Sequence, residues 1–237
     1  MRQLGIVVAM TAEARSLVRE SAATEGLIHL AEGVLVKLSG VGPRRAGEAA
    51  KNLLEQGATA LLSWGCAGAL VPTLSPGSLV LPCSVIGADQ FPYSPDPTWR
   101  ERLLNRLKDC VDLHQGPLAE SGTVLRSSAD KRVLFERTGA IAVDMESGAV
   151  ARVAQGAHAP FMVIRAIADS ADMAIPRSSL EAVDEFGELK LLRLLKELIR
   201  QPFELFAMIR LGWNLRAAQL SLAKVARLTG TDLLLPQ

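Results

Sequence analysis

Ala140-Ile141-Ala142-Val143-Asp144-Met145-Glu146-Ser147 and, further on, Arg165-Ala166-Ile167-Ala168-Asp169-Ser170-Ala171-Asp172 decide the fold of this chain. Each half is an apolar strand that ends in carboxylates. The strand buries its side chains, so the carboxylates sit at the sheet edge, facing water or a ligand. Two such ends in one α/β domain predict one site fed by two strands, where open α/β sheets bind small molecules.

Outward from these strands the chain alternates strand and helix. A strand over 4–10 leads into a helix near 11–22, with Thr11 as N-cap and Glu13 in its first turn. A second strand over 33–39 ends in the turn Ser39-Gly40-Val41-Gly42-Pro43, and Pro43 opens a helix running to about 56. Thr59 to Trp64 reads as a buried strand closed by the turn Gly65-Cys66-Ala67-Gly68. A strand over 78–86 follows. The segment from Asp89, with Phe91, Pro92, Tyr93, Pro95 and Pro97, reads as a loop able to cover a site. A helix over 97–110, strands over 117–125 and 140–145 around a short helix, and a last strand over 161–168 complete the pattern. It predicts a three-layer α/β/α fold with a central mixed, mostly parallel sheet and a C-terminal helical extension. The expected organisation is a catalytic domain over 1–200 and an extension over 201–237.

Composition narrows the function. The 237 residues are 49% hydrophobic and 22% charged, enough for a sizeable core in one domain. A net charge of +1 and 4% aromatic residues give neither the basic field nor the stacking platforms of a nucleic-acid binder. Cys66, Cys83 and Cys110 fit neither a disulfide framework nor a zinc site, and His29, His114 and His158 are scattered. The apolar run Leu4–Met10 is bounded at once by Thr11 and Glu13, so it reads as a first strand rather than a signal peptide. A reducing cytoplasm is the expected compartment.

The last fifty residues differ in character. Leucines fill 187–200, with Lys190, Arg193, Lys196 and Arg200 on one face, and Pro202 breaks the helix. From 186 to 237 eight Lys or Arg stand against four Asp or Glu. Two readings are open: a core-packing helix with an oligomer arm, or a basic amphipathic helix pair over 189–227 lying on the inner face of an anionic membrane.

Several groups carry candidate chemistry. The Gly65–Gly68 turn is either an anion-binding nest or a plain structural turn. Gly42 with Arg44 and Arg45 is either a phosphate site or a solvated helix start. Asp144 and Glu146 stand where a strand passes into a helix, placed either to accept hydrogen bonds from vicinal hydroxyls or to cap the helix. Asp169, partly buried beside another carboxylate, is either a general acid or a cap.

Taken in order, Met10-x-x-Glu13, Ser39-Gly-Val-Gly42, Gly65-Cys-Ala-Gly68, Val143-Asp-Met-Glu146 and Arg165-Ala-Ile-Ala-Asp169-x-x-Asp172 resemble the purine nucleoside phosphorylase and methylthioadenosine/S-adenosylhomocysteine nucleosidase superfamily. The resemblance implies that Glu146 binds the ribose 2′- and 3′-hydroxyls and Met145 packs on the ribose. It implies that Asp169 serves N7 of the leaving purine, that Glu13 helps activate water, and that Gly65–Gly68 lies beside the nucleophile. Gly42, Arg44, Arg45, Gly65 and Cys66 form the expected phosphate set, and Gly68 and Val124 belong to the substrate set. Cleaving an N-glycosidic bond builds oxocarbenium character on the sugar and negative charge on the base, which these carboxyls would stabilise. No metal or cofactor is implied beyond inorganic phosphate as co-substrate, and a homo-oligomer is.

The chain departs from that pattern at Cys66, where relatives carry a hydroxyl, and in Ser121–Leu125, which lacks an aromatic to stack on adenine. Val124, Leu125, Phe91 and Tyr93 are candidates for the base pocket. The Leu/Arg-rich tail around Arg200-Gln201-Pro202 is most similar to the hopanoid-associated phosphorylases, whose implied substrate is adenosylhopane. Three functions therefore stand side by side: phosphorolysis of a lipid-linked adenosine, hydrolysis of a methylthioadenosine-type nucleoside, and a non-catalytic nucleoside-binding or membrane-docking module.

Overall fold

The computed structural model describes residues 3–17, 26–176, 186 and 205–236. Among the described residues eleven strands form one mixed, mostly parallel sheet flanked by helices, as the alternation predicts. In chain order the elements are β1 (Leu4–Val8), α1 (Thr11–Leu17), β2 (Leu27–Ala31), β3 (Val34–Leu38), α2 (Pro43–Glu55) and β4 (Ala60–Ala69). Then come β5 (Leu79–Val80), β6 (Ser84–Ile86), β7 (Pro92–Tyr93), α3 (Pro97–Leu107), β8 (Leu113–His114) and β9 (Pro117–Glu120). The rest are α4 (Ser128–Thr138), β10 (Ala142–Asp144), α5 (Ser147–Gly156), β11 (Phe161–Asp169) and α6 (Leu205–Thr229).

Strand β4 organises the sheet. Its first half pairs in parallel with β1, from Ala60 opposite Leu4 to Trp64 opposite Val8. Its other edge pairs in parallel with β11, while its end, Gly68 and Ala69, pairs antiparallel with β10. The sheet therefore forks where β1 stops and β10 begins. That fork leaves a crevice at the carboxyl ends of β1, β10 and β11, where an open α/β sheet has room for a ligand.

Period-2 alternation sends side chains to two cores. Ile6, Val8, Leu62, Trp64 and Ile164 pack under α3 and α6 through Trp99, Leu103, Ala218, Leu222 and Val225. Val7, Leu61, Val163 and Ile167 pack under α2 and α5 through Ala50, Leu53, Ala149, Val150 and Ala154. These are the three layers. The alanines on α2 and α5 let those two helices approach each other and the sheet.

The structure corrects several expected elements. The turn at Gly65–Gly68 does not form: β4 runs straight through it, buried along almost its whole length. Its glycines serve close approach, not reversal. The expected strand over 78–86 is two short strands separated by Leu81-Pro82-Cys83, where Pro82 has no N–H to give a ladder. The strand over 117–125 stops at Glu120, and Ser121–Leu125 leaves the sheet. Strand β2, absent from the expected pattern, forms an antiparallel hairpin with β3 through Gly33 at φ 74°. Its half-exposed residues give weak alternation. The helix over 187–200 and its break at Pro202 lie outside the described residues, as do 18–22 of the first helix. Helix α6 packs against β11, α1 and α3.

Candidate active site

The fork encloses a cavity of about 520 Å³. Four carboxyl groups line it: Glu13 of α1, Asp144 at the end of β10, Glu146 just after it and Asp169 at the end of β11. Met145, Val124, Gly68 and Cys66 line it as well, and Leu125, Ile175, Met208, Leu211 and Leu215 complete an apolar wall.

Glu13 is buried and fixed on three backbone donors. Its Oε2 accepts from Ala9 N at 3.1 Å and Met10 N at 3.0 Å, and its Oε1 accepts from Cys66 N at 2.7 Å. Burial raises its pKa, with Arg165 and these amides pulling the other way. Gly65 makes the arrangement possible. A Cβ there would stand 2.5 Å from Glu13 Oε1 and 2.8 Å from Arg165 Nη1, so only glycine lets β4 run this close to both.

Arg165 is the counter-charge beneath the site. Its side chain is 2% exposed, and its guanidinium meets Asp144 Oδ2 at 2.6 Å and Glu146 Oε2 at 3.8 Å. It also donates to Ser63 Oγ at 2.8 Å and Ser147 Oγ at 3.1 Å. Asp144 in turn accepts from the amide and hydroxyl of Ser147, the first residue of α5, while Glu146, at the N-cap position, makes no side-chain capping bond and lines the cavity. Glu146 accepts from Gly42 N at 2.9 Å. Gly42 can present that amide because it sits at φ 107°, a region closed to most side chains. Burial, then the charge of Asp144, pushes the Glu146 pKa up to about 8.

Asp169 is held differently. The β4 pairing register shifts between Ile167 and Asp169, and such an irregularity turns a strand-end side chain out of its regular alternation. Its Oδ2 accepts a short hydrogen bond from Lys131 Nζ, and that lysine also donates to Ser170 O at 2.6 Å and Met173 O at 3.1 Å. Lys131, on α4, is 1% exposed. Burial raises the Asp169 pKa while Lys131 opposes the rise. Gly68 passes so near that a Cβ would lie 3.0 Å from Asp169 Oδ2.

The structure thus gathers Glu13, Met145, Glu146, Asp169, Val124, Gly68 and Cys66 around one cavity, with Gly42 and Gly65 directly behind its carboxylates. It does not gather the expected phosphate set. Neither Arg44 nor Arg45 lines the cavity, and exposed Arg44 pairs with Glu48 at 2.7 Å. The amides of Gly42 and Cys66 are already taken by Glu146 and Glu13. The thiol of Cys66 is pushed well up by burial and stays protonated. The 89–97 loop does not reach the cavity either: Tyr93 is buried against the α5 core and bonds Asp89 at 2.8 Å, and Phe91 stacks edge-on against it. Among the described residues no group of three His, Cys, Asp or Glu is arranged to hold a metal.

Sequence reasoning missed Lys131, the role of Arg165, and the α6 wall. An arginine inside an otherwise apolar strand was a readable signal, because a buried charge needs partners. Lys131 carried no such mark, since it is one of several charges in Ser128-Ala-Asp-Lys-Arg-Val.

A fold forked at β4, with buried carboxyls around an apolar cavity, defines an α/β protein with a small-molecule site at the carboxyl ends of its strands. Residues 3–200 match the phosphorylase superfamily, and the chain belongs to it. A curated relative, the 5′-methylthioadenosine/S-adenosylhomocysteine nucleosidase of Buchnera aphidicola subsp. Baizongia pistaciae, is 30% identical over 167 residues. That match spans 62% of this chain and 66% of the relative. Among solved structures, the Neisseria meningitidis nucleosidase of the same name, bound to methylthio-immucillin-A, superposes with a TM-score of 0.70 at 20% identity, over 94% of this chain and 96% of that one. The futalosine hydrolase of Helicobacter pylori superposes with a TM-score of 0.66 at 19% identity, over 96% of this chain and 98% of that one.

Proposed function

We propose that this chain cleaves the N-glycosidic bond of a 5′-substituted adenine nucleoside, with water as the nucleophile. One observation carries the reading: Glu13, Glu146 and Asp169 face the same apolar cavity from three elements. Glu146 accepts the ribose 2′- and 3′-hydroxyls and Met145 packs on the sugar. Asp169 gives its proton to N7 as the C1′–N9 electrons pass into the base. Water attacks C1′, and Glu13, made more basic by burial, takes its proton. Val124 and Gly68 border the base. The low-dielectric wall strengthens each of these interactions.

Water is favoured over phosphate because the expected phosphate ligands are scattered or occupied. The relatives named above as nucleosidase and hydrolase support the same choice. The apolar wall from Ile175, Met208, Leu211 and Leu215 suits an uncharged 5′ substituent, and a hopanoid-linked adenosine is one candidate. Incubation with 5′-methylthioadenosine and with adenosylhopane, each with and without phosphate, tests this. Adenine release without phosphate is expected. Release only with phosphate would replace hydrolysis by phosphorolysis, and no release from any nucleoside would favour a binding module.

A second reading concerns the tail, and a separate observation favours it. Phe206 and Trp213 on α6 are 82% and 76% exposed, with Ile209 and Leu220 on the same arc. Helix α6 carries Arg210, Arg216, Lys224 and Arg227 and no acidic residue. Among the described residues no helix is long and apolar enough to cross a membrane. We propose that this face lies on an anionic lipid surface, which complements both its charge and its apolar stripe. Assembly into a homo-oligomer and residence in the cytoplasm, with this peripheral contact, complete the proposal.

A further inference from the structure

Lys131 is the least expected group in the cavity wall. A lysine side chain is rarely fully buried unless it is paired. Here its three N–H donors are all committed: one to Asp169 Oδ2, one to Ser170 O and one to Met173 O. It ties helix α4 to the end of β11 and to the turn that follows. No other cation contacts the Asp169 carboxyl among the described residues, and Arg165 serves the carboxylates across the cavity.

We propose that Lys131 is the positioning residue of the acid: its ammonium aims the Asp169 carboxyl into the cavity and offsets the negative charge that Asp169 acquires on giving its proton to the leaving base. This rests on the reading of Asp169 as general acid. The balance is simple. The O–H bond of Asp169 breaks, its proton goes to N7, the C1′–N9 pair moves into the purine, and the carboxylate left behind sits against an ammonium already in place. The attacking water's proton goes to Glu13, and solvent later returns one to Asp169.

The device has two opposing parts. Burial favours the neutral acid, which holds the proton until a base is bound. Lys131 favours the carboxylate, which makes the acid strong enough to transfer that proton. The other groups near the pair act more weakly. Cys66 of β4 faces Asp169 and stays neutral. Asp172 in the following turn lies on the solvent side of Lys131, with Arg210 of α6 near it. Glu13, Glu146 and Asp144 on the far wall are answered by Arg165.

The test reads the proton of Asp169 directly. The full chain is labelled with ¹³Cγ-aspartate, and the Asp169 resonance is identified by its loss in Asp169→Asn. It is then titrated in wild type, Lys131→Met and Lys131→Arg. Removing the opposite charge should raise the titration midpoint by about one pH unit or more. The alkaline limb of kcat/KM should move up with it, because a general acid must be protonated, and the plateau should fall about tenfold or more. Lys131→Arg keeps the charge and should keep both the midpoint and the limb. Lys131→Gln, which drops the charge but retains a donor for the two carbonyls, makes the same test if the Met variant fails to fold. A midpoint unchanged in the neutral variants overturns the proposal whatever happens to the rate. A midpoint that moves while the limb stays put overturns the catalytic part of it. Full turnover in Asp169→Asn would instead remove the acid assignment itself, and that result is read separately.

Discussion

Gly65 shows how one residue governs the site. Its missing side chain lets Glu13 Oε1 and Arg165 Nη1 come within about one atom's width of the β4 backbone. A methyl group there would have to displace the Glu13 carboxylate, whose three amide donors are all backbone and cannot follow it. Gly65→Ala should therefore lower kcat by about a hundredfold, the size of effect a misplaced catalytic group can produce, with a smaller change in KM. Steady-state kinetics on the cleaved nucleoside checks this. A variant with ordinary kcat would show that Glu13 does not need its observed position. The same reasoning explains why the Gly-Cys-Ala-Gly pattern is deceptive. Glycines in sequence suggest a turn, but here they keep a buried strand thin enough for Glu13 and Asp169 to stand close against it.

Helix α6 works on two faces at the element scale. Ala218, Leu222 and Val225 seal the sheet, and Met208, Leu211 and Leu215 wall the cavity. Phe206, Ile209, Trp213 and Leu220 point away from both, spaced so that they form one stripe. Exposed aromatics beside arginines, with no acid among them, suit an interface of acyl chains and anionic headgroups. Lys224 is the exception, since its ammonium turns to the Cys110 carbonyl at 2.5 Å. Binding to vesicles of mixed phosphatidylcholine and phosphatidylglycerol should fall about tenfold or more in Phe206→Ser/Trp213→Ser, since each large side chain contributes roughly 1.5–3 kcal/mol when buried. Neither residue lines the cavity, so cleavage of a water-soluble nucleoside should not change. Equal sedimentation of both proteins with vesicles would remove the lipid reading and leave α6 as an oligomer face, which light scattering would then reveal.

At the scale of the whole molecule, the sequence displayed the layers and the carboxylates but not what balances them. Apolar runs ending in Asp144, Glu146 and Asp169 were legible, because a charge at the end of a buried strand has few places to go. The cations beneath them were less so. Lys131 comes from helix α4 and Arg165 from inside β11, and only the forked sheet brings them to the carboxyls they meet. The result is a site that holds buried acid groups against the stability of the fold. Glu13, Glu146, Asp169 and Glu120 of β9 all have pKa values raised from their ordinary values, burial being the largest cause in each. The sign follows directly. A group with a raised folded pKa binds more protons folded than unfolded, so unfolding free energy falls as pH rises between the two values. For Glu146 that window runs from the ordinary carboxylate range to about 8. Urea unfolding should therefore give a stability lower by about 3 kcal/mol at about pH 9 than at about pH 5.5, given that a tenfold difference in proton affinity corresponds to ~1.4 kcal/mol. Glu146→Gln should flatten that slope and raise the midpoint of unfolding at alkaline pH, while losing turnover. A wild-type stability independent of pH across this window would mean that Arg165 and the backbone amides compensate the buried charges fully, and that the site costs the fold nothing.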